Sequence, residues 1–265
     1  MSEKKKMNTY VKFTVVLLIS GFVGGVLGYL TGMGEGDGLL TSVAAGYDGL
    51  VSWIRYNLLF VLSGAGAVSI LLCEMFLAQL KRAGLQIENA SDEQIDEIEY
   101  HMELAGSKGM IISVVGMILQ ILILSTGYSK RYIQGLADGK LTMYMIGLFV
   151  FIAMTVYFSF WQIRYVKLIQ KYYPGKKGDP ASLKFQKQWF ESCDEAEKEC
   201  INQASRKTYL LLGRCFPIFT FVAMISHLLW NTGLLAIIMP ALLWMIASIS
   251  YCISCVQKKR EGYNG

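Results

Sequence analysis

Long apolar runs separated by short polar stretches set the pattern of this chain. Six runs meet or approach the length of a membrane-crossing helix: Phe13–Thr31, Asn57–Leu80, Met110–Tyr128, Thr142–Trp161, Tyr209–Trp230 and Leu234–Cys255. A hydrocarbon core about 30 Å thick needs roughly 20 apolar residues in a helix, because backbone groups there find no water and must pair within the segment. A globular core could bury one such run, but six in 265 residues leave too little polar surface for solubility. The pattern predicts an all-α, polytopic membrane protein. Its single integral membrane domain, 1–265, has six transmembrane helices in three hairpins, with cytoplasmic amphipathic helices in the loops 81–109 and 163–208.

Helical spacing continues outside the spans. After the flexible GMGEGDG stretch, Leu39, Leu40, Val43, Tyr47, Leu50, Val51 and Ile54 predict a helix lying on the outer membrane surface. The fourth span is expected to continue to Tyr173, where PGKKGDP (Pro174–Pro180) stops it. In the first inner loop Ser91-x-x-Gln94 has the form of a capping box, followed by an apolar face of Ile95, Ile98, Met102 and Ala105. The second loop offers Ser192-x-x-Glu195 in the same role. Each of these helices starts acidic and ends with a lysine, Lys108 or Lys207, in the order that complements the helix dipole. A duplicated unit and chance similarity of two acidic helices account for the likeness equally well.

Charge placement orients the chain. All but four (Arg55, Lys130, Arg131 and Lys140) of the 25 basic residues fall on one side when both termini are placed in the cytoplasm, so the positive-inside rule assigns that topology. The +5 balance is thus a topology signal, and no nucleic-acid module accompanies it. Three lysines precede the first run, but its length and the missing A-x-A site favour an uncleaved first helix over a signal peptide. The cysteines fall on or toward the reducing side, where thiols are expected.

Within the spans, Glu74 and Arg214 are the charged residues set deepest, each about six residues from the cytoplasmic end. An intramembrane charge is expensive unless it pairs or reaches water. The two are expected to form an ion pair between the second and fifth helices; snorkelling to the headgroups is the simpler use and a proton or substrate role the bolder one. Gly21, Gly24, Gly25, Gly28 and Gly32 form small-xxx-small pairs that let the first span approach a neighbour closely, and Ser63–Ser69 offers a matching surface.

The stretch Trp189–Tyr209, WFESCDEAEKECINQASRKTY, looks at first like a ligand cluster of carboxylates and thiols. As a helix it resolves differently. Trp189, Cys193, Ala196, Cys200 and Ala204 recur at spacings of four and three as one apolar stripe, a candidate docking surface, and the carboxylates take the helix start and the polar sides. No histidine accompanies the thiols, and Cys252-x-x-Cys255 lacks the second half of a zinc site. His101 and His227 fall on opposite sides of the membrane. Nucleotide-binding, zinc-protease and nucleophile-elbow motifs are missing from the sequence. No cofactor, metal or enzymatic activity is expected.

The W-x-x-S-C-D-E-A-E pattern from Trp189 to Glu197, set between a fourth and a fifth apolar run, resembles the family called domain of unknown function 3169. That resemblance implies a six-span plasma-membrane protein of Gram-positive bacteria and carries no activity or cofactor. Two functions follow from the residues, and a third, an intramembrane enzyme, lacks a recognisable constellation. One is an accessory or regulatory component acting through its cytoplasmic helices on another membrane protein or complex. The other is a small-solute or ion transporter using Glu74 and Arg214. The lipid bilayer is the expected surrounding partner, and nucleic acid is not expected to bind.

Overall fold

A computed structural model describes residues 15, 37–87, 91–128, 133, 135, 138–230 and 232–264. These form seven helices among the described residues: α1 (Asp37–Tyr56), α2 (Leu58–Ile87), α3 (Asp92–Gly127), α4 (Asp138–Tyr172), α5 (Phe185–Glu191), α6 (Glu195–Trp230) and α7 (Leu235–Asn264). They divide into two compact units, 38–192 and a second that holds 193–265.

The expectation of six spans in three hairpins is corrected. Among the described residues five helices are long and apolar enough to cross a membrane: Leu58–Ile87, Gln94–Gly127, Gly139–Tyr172, Glu195–His227 and Leu235–Ser254. The run expected as a first span, 13–31, falls outside the described residues apart from Val15. The amphipathic segments, moreover, are not helices apart from the spans. Asp92–Gly127 runs unbroken through both, as does Glu195–Trp230. Each has 36 residues, about 54 Å at roughly 1.5 Å per residue, against a hydrocarbon core of about 30 Å.

In the larger unit α2, α3 and α4 form an up-down-up bundle. Its register is read from glycines that receive large side chains. A Cβ on Gly106 falls 2.7 Å from the Tyr165 ring, on Gly109 2.6 Å from Trp161, on Gly116 3.0 Å from Phe158 and on Gly127 2.8 Å from Tyr144. The residue numbers rise on α3 as they fall on α4, so the two helices are antiparallel. Gly66 and Gly84 of α2 face Met154 and Tyr172 in ascending order, which makes α2 and α4 parallel.

Two apolar clusters follow along the bundle. Cys73, Phe158 and Trp161 centre the first. Leu80, Met102 and Ala105 centre the second, joined by Ile87, Ile98, Leu168 and Tyr172. The second cluster uses the helix ends that read as cytoplasmic, so Ile98, Met102 and Ala105 have α2 and α4 as their partners.

The other unit is described by α6 and α7, an antiparallel pair in which Tyr209 stacks on Tyr251 at 4.2 Å and 14°. The turn uses Gly233 at φ +91°, a backbone state that glycine adopts without steric cost. Its N–H donates to His227 Nδ1 at 3.2 Å.

Replacing Gly109 with leucine forces a branched side chain into the Trp161 ring and is expected to cost about 1–3 kcal/mol by overpacking. Gly64 has open space around a Cβ, so Gly64→Ala is expected to leave stability unchanged or raise it by up to about 1 kcal/mol. Thermal melting in detergent separates the two; a Gly109→Leu protein melting with the wild type contradicts the seam.

Candidate functional site

Glu74 follows the fully buried Cys73 on α2, and its side chain reaches the bundle surface. Its Oε1 accepts from the Tyr157 hydroxyl and from the Arg164 guanidinium, both on α4. Seven residues, two helical turns, separate these donors, so they share a face. The guanidinium also lies over the Tyr157 ring, 5.9 Å from its centroid. Behind this group Cys73 donates weakly to the Gly109 carbonyl at 3.8 Å, and Trp161 stacks on Tyr165 at 5.9 Å and 5°. Among the described residues the Trp161 ring nitrogen, which is buried, has no hydrogen-bond partner.

Exposure decides what this pair can do. Glu74 is 43% and Arg164 49% exposed, so the pair is a surface latch and not a sealed charge. Such pairs are worth about 0–1 kcal/mol in water. In lipid the alternative for Glu74 is a carboxylate facing hydrocarbon, which is far costlier. Arg164 lies just past the expected end of the fourth span and reaches back along the helix, which suits a long guanidinium stem.

A ladder of polar contacts runs deeper into the bundle. Gln162 Nε2 donates to Ser113 Oγ at 3.1 Å, and Ser113 Oγ donates to the Met110 carbonyl at 3.2 Å. Gln120 Nε2 donates to the Leu62 carbonyl at 3.0 Å, while the buried Gln120 Oε1 has no partner among the described residues. Interhelical bonds of this kind average about 0.6 kcal/mol in a membrane. They fix which helix faces which, and large side chains fill the space around them: Leu62, Phe158 and Trp161 are 1% exposed or less.

Arg214, the expected partner of Glu74, stands exposed on α6 in the other unit. Within its own unit Glu74 is bonded to Arg164 and Tyr157. Sequence reading missed both, although it expected the fourth helix to continue to Tyr173, because it sought a partner only among charges inside the spans and Arg164 lies just beyond Trp161. The available signal was a tyrosine and an arginine seven residues apart on that one helix.

The acidic stretch also differs from the single helix expected. Phe185–Glu191 ends at Ser192, whose Oγ donates to the Trp189 carbonyl at 2.7 Å and accepts the Lys177 N–H at 3.0 Å. The next helix is capped two residues beyond the expected Ser192/Glu195 box. Asp194 Oδ1 accepts the Glu197 N–H at 2.8 Å, and Glu197 Oε2 accepts the Asp194 N–H at 3.0 Å. The break divides the stripe. Trp189 packs on Phe185 at 5.4 Å, Cys193 is buried at the junction, and Ala196, Cys200 and Ala204 are exposed on α6.

The carboxylates of this stretch serve local bonds. Glu191 pairs with Lys187 at 3.8 Å, Glu195 with Lys198 at 3.0 Å, and Glu199 accepts from Gln203 at 2.8 Å. Among the described residues no three His, Cys, Asp or Glu side chains come together as a metal site.

Comparison with known proteins adds one likeness. A family model described as "Protein of unknown function (DUF3169)" matches residues 6–254. No curated protein and no solved structure matches the chain.

Charge exchange tests the latch. Glu74→Arg and Arg164→Glu are each expected to lower the melting temperature, and the double exchange to recover part of the loss. The expected coupling is about 0.5–1 kcal/mol in a double-mutant cycle. Additive losses contradict the pairing.

Proposed function

The chain belongs to the DUF3169 family of proteins of unknown function, and we propose that it is a non-enzymatic accessory or regulatory component of the plasma membrane. In this reading both termini are cytoplasmic, and the polar ends of the helices act on another membrane protein. One observation carries it. Helices α3 and α6 each pass without a break from an acidic, capped segment into an apolar span. A contact made on such a segment is tied mechanically to the start of the membrane part, because the helix is continuous there, with Pro217 of α6 lying further along.

Packing supports the same reading. The extramembrane ends of α2, α3 and α4 share their own apolar cluster around Leu80 and Met102, which stiffens them into a stalk. On α6, Cys200 is a free, exposed thiol, and Ala204 follows on the same face. Small exposed side chains there leave room for a partner helix to approach closely.

Transport of a small solute or ion past Glu74 and Arg214 is the second reading. A half-exposed carboxylate set within a span favours it, and a proteoliposome flux abolished by Glu74→Gln would carry it.

Affinity purification from native membranes in mild detergent tests the accessory reading. A stoichiometric partner is expected, cross-linked through the Cys200 thiol and lost on Ala204→Arg with the melting temperature unchanged. Recovery of the protein alone, or a partner indifferent to Ala204→Arg, contradicts it.

A further inference from the structure

At the end of the bundle opposite the stalk, the chain turns from α1 into α2 at Asn57. The Asn57 N–H still closes on the Trp53 carbonyl at 3.0 Å, and its own carbonyl accepts the Val61 N–H at 2.9 Å. This turn is tied to the neighbouring helices. Arg55 Nε donates to the Thr126 carbonyl at 2.7 Å, and the Tyr144 hydroxyl donates to the Arg55 carbonyl at 2.9 Å. Between the turn and the start of α4 lies a cavity of about 210 Å³. Arg55, Asn57, Tyr56, Lys140 and Tyr144 line it together with apolar side chains.

Charge and size narrow what fits. Among the described residues the lining contains two cations and no carboxylate, and Lys140 Nζ sits 5.7 Å from the centroid of the Tyr56 ring. A volume of 210 Å³ is below the roughly 300–1,000 Å³ of sites for drug-sized molecules, so a small anionic group suits it better than a whole metabolite. Arg55 and Lys140 are also two of only four basic residues that the charge pattern assigns to this side of the membrane.

Position supplies the source of the anion. The cavity lies where α2 and α4 begin, at the level where a bilayer changes from hydrocarbon to headgroup. Next to it α1 presents Tyr47, Leu50, Trp53 and Tyr56 at spacings of three, all more than half exposed. Aromatic side chains in such a row are the usual anchors of a helix at the membrane interface. A lipid seated with its acyl chains along that row brings its phosphate to Arg55 and Lys140.

We propose that this cavity binds the phosphate headgroup of an anionic phospholipid of the leaflet it faces, gripped by Arg55 and Lys140 with the α1 aromatic row against the acyl chains. Lys140 is the better residue to change, because it is exposed at the start of α4 while Arg55 also holds the Thr126 carbonyl.

Native mass spectrometry of the full chain, released from detergent with added phosphatidylglycerol, tests this. One retained lipid is expected for the wild type, with affinity about tenfold weaker for Lys140→Gln and within about twofold for Lys140→Arg. Equal retention by wild type and Lys140→Gln, or equal retention of phosphatidylcholine and phosphatidylglycerol, overturns the proposal. Displacement of the lipid by millimolar inorganic phosphate assigns the cavity to a free anion and overturns it too. A melting temperature of Lys140→Gln equal to that of the wild type shows that a weaker affinity reports the site and not unfolding.

Discussion

Close packing of α3 against both neighbours, most extensively against α2 and, where four glycines take four aromatic rings, against α4, is the constraint on which the larger unit depends. Water exclusion cannot drive these helices together inside a bilayer, because lipid tails are as apolar as the side chains they surround. Association rests on close packing, many dispersion contacts of about 0.1–0.2 kcal/mol each, and on hydrogen bonds between helices. Glycine is a costly way to obtain that packing. Each one in a helix interior loses about 0.8–1.0 kcal/mol relative to alanine, so Gly106, Gly109 and Gly116 set α3 back by roughly 2–3 kcal/mol, while Gly127 is its last residue. The rings of Tyr144, Phe158, Trp161 and Tyr165 recover it by filling the notches, and a Cβ at Gly109 would fall 2.6 Å from one of them.

Polar contacts then select among the packings that such a seam permits. Gln120 on the Leu62 carbonyl joins α3 to α2, and Gln162 on Ser113 joins α4 to α3. Glu74 with Arg164 and Tyr157 closes the remaining edge between α2 and α4. None is large alone. Together they mark every side of the three-helix triangle, so sliding or rotating any helix leaves a polar group facing hydrocarbon. The seam runs past the membrane as well: Gly106 and Tyr165 lie beside the Leu80, Met102 and Ala105 cluster. Packing of one kind therefore carries the bundle from lipid into water and makes the polar ends continuous with the spans.

Much of this was legible in the residues, at different levels. Run length and hydropathy predicted a polytopic helical protein, because the bilayer imposes that constraint on any sequence. The apolar face of Ile98, Met102 and Ala105 was legible from its spacing. Its fusion with the following span was not, since nothing local distinguishes a helix that continues through Ser107-Lys108-Gly109 from one that stops there. The glycines on α3 (spaced three, seven and eleven) and the aromatics on α4 (spaced four, three and fourteen back from Tyr165) were present in the sequence, but their meaning depends on which two helices meet. The partner of Glu74 depended on tertiary geometry in the same way. At the acidic stretch the periodicity misled: Ser192 ends one helix, Asp194 and Glu197 cap the next, and a break of three residues left the apolar spacing intact while dividing the stripe.

Hydrogen–deuterium exchange of the full chain in a bilayer mimic tests the central claim most directly, that α3 is one helix held along its length by the seam. The account predicts slow exchange from the polar segment into the span without a gap, including the amides of Gly106 to Met110. Fast exchange of those amides, comparable to the turn at 175–184, would contradict it.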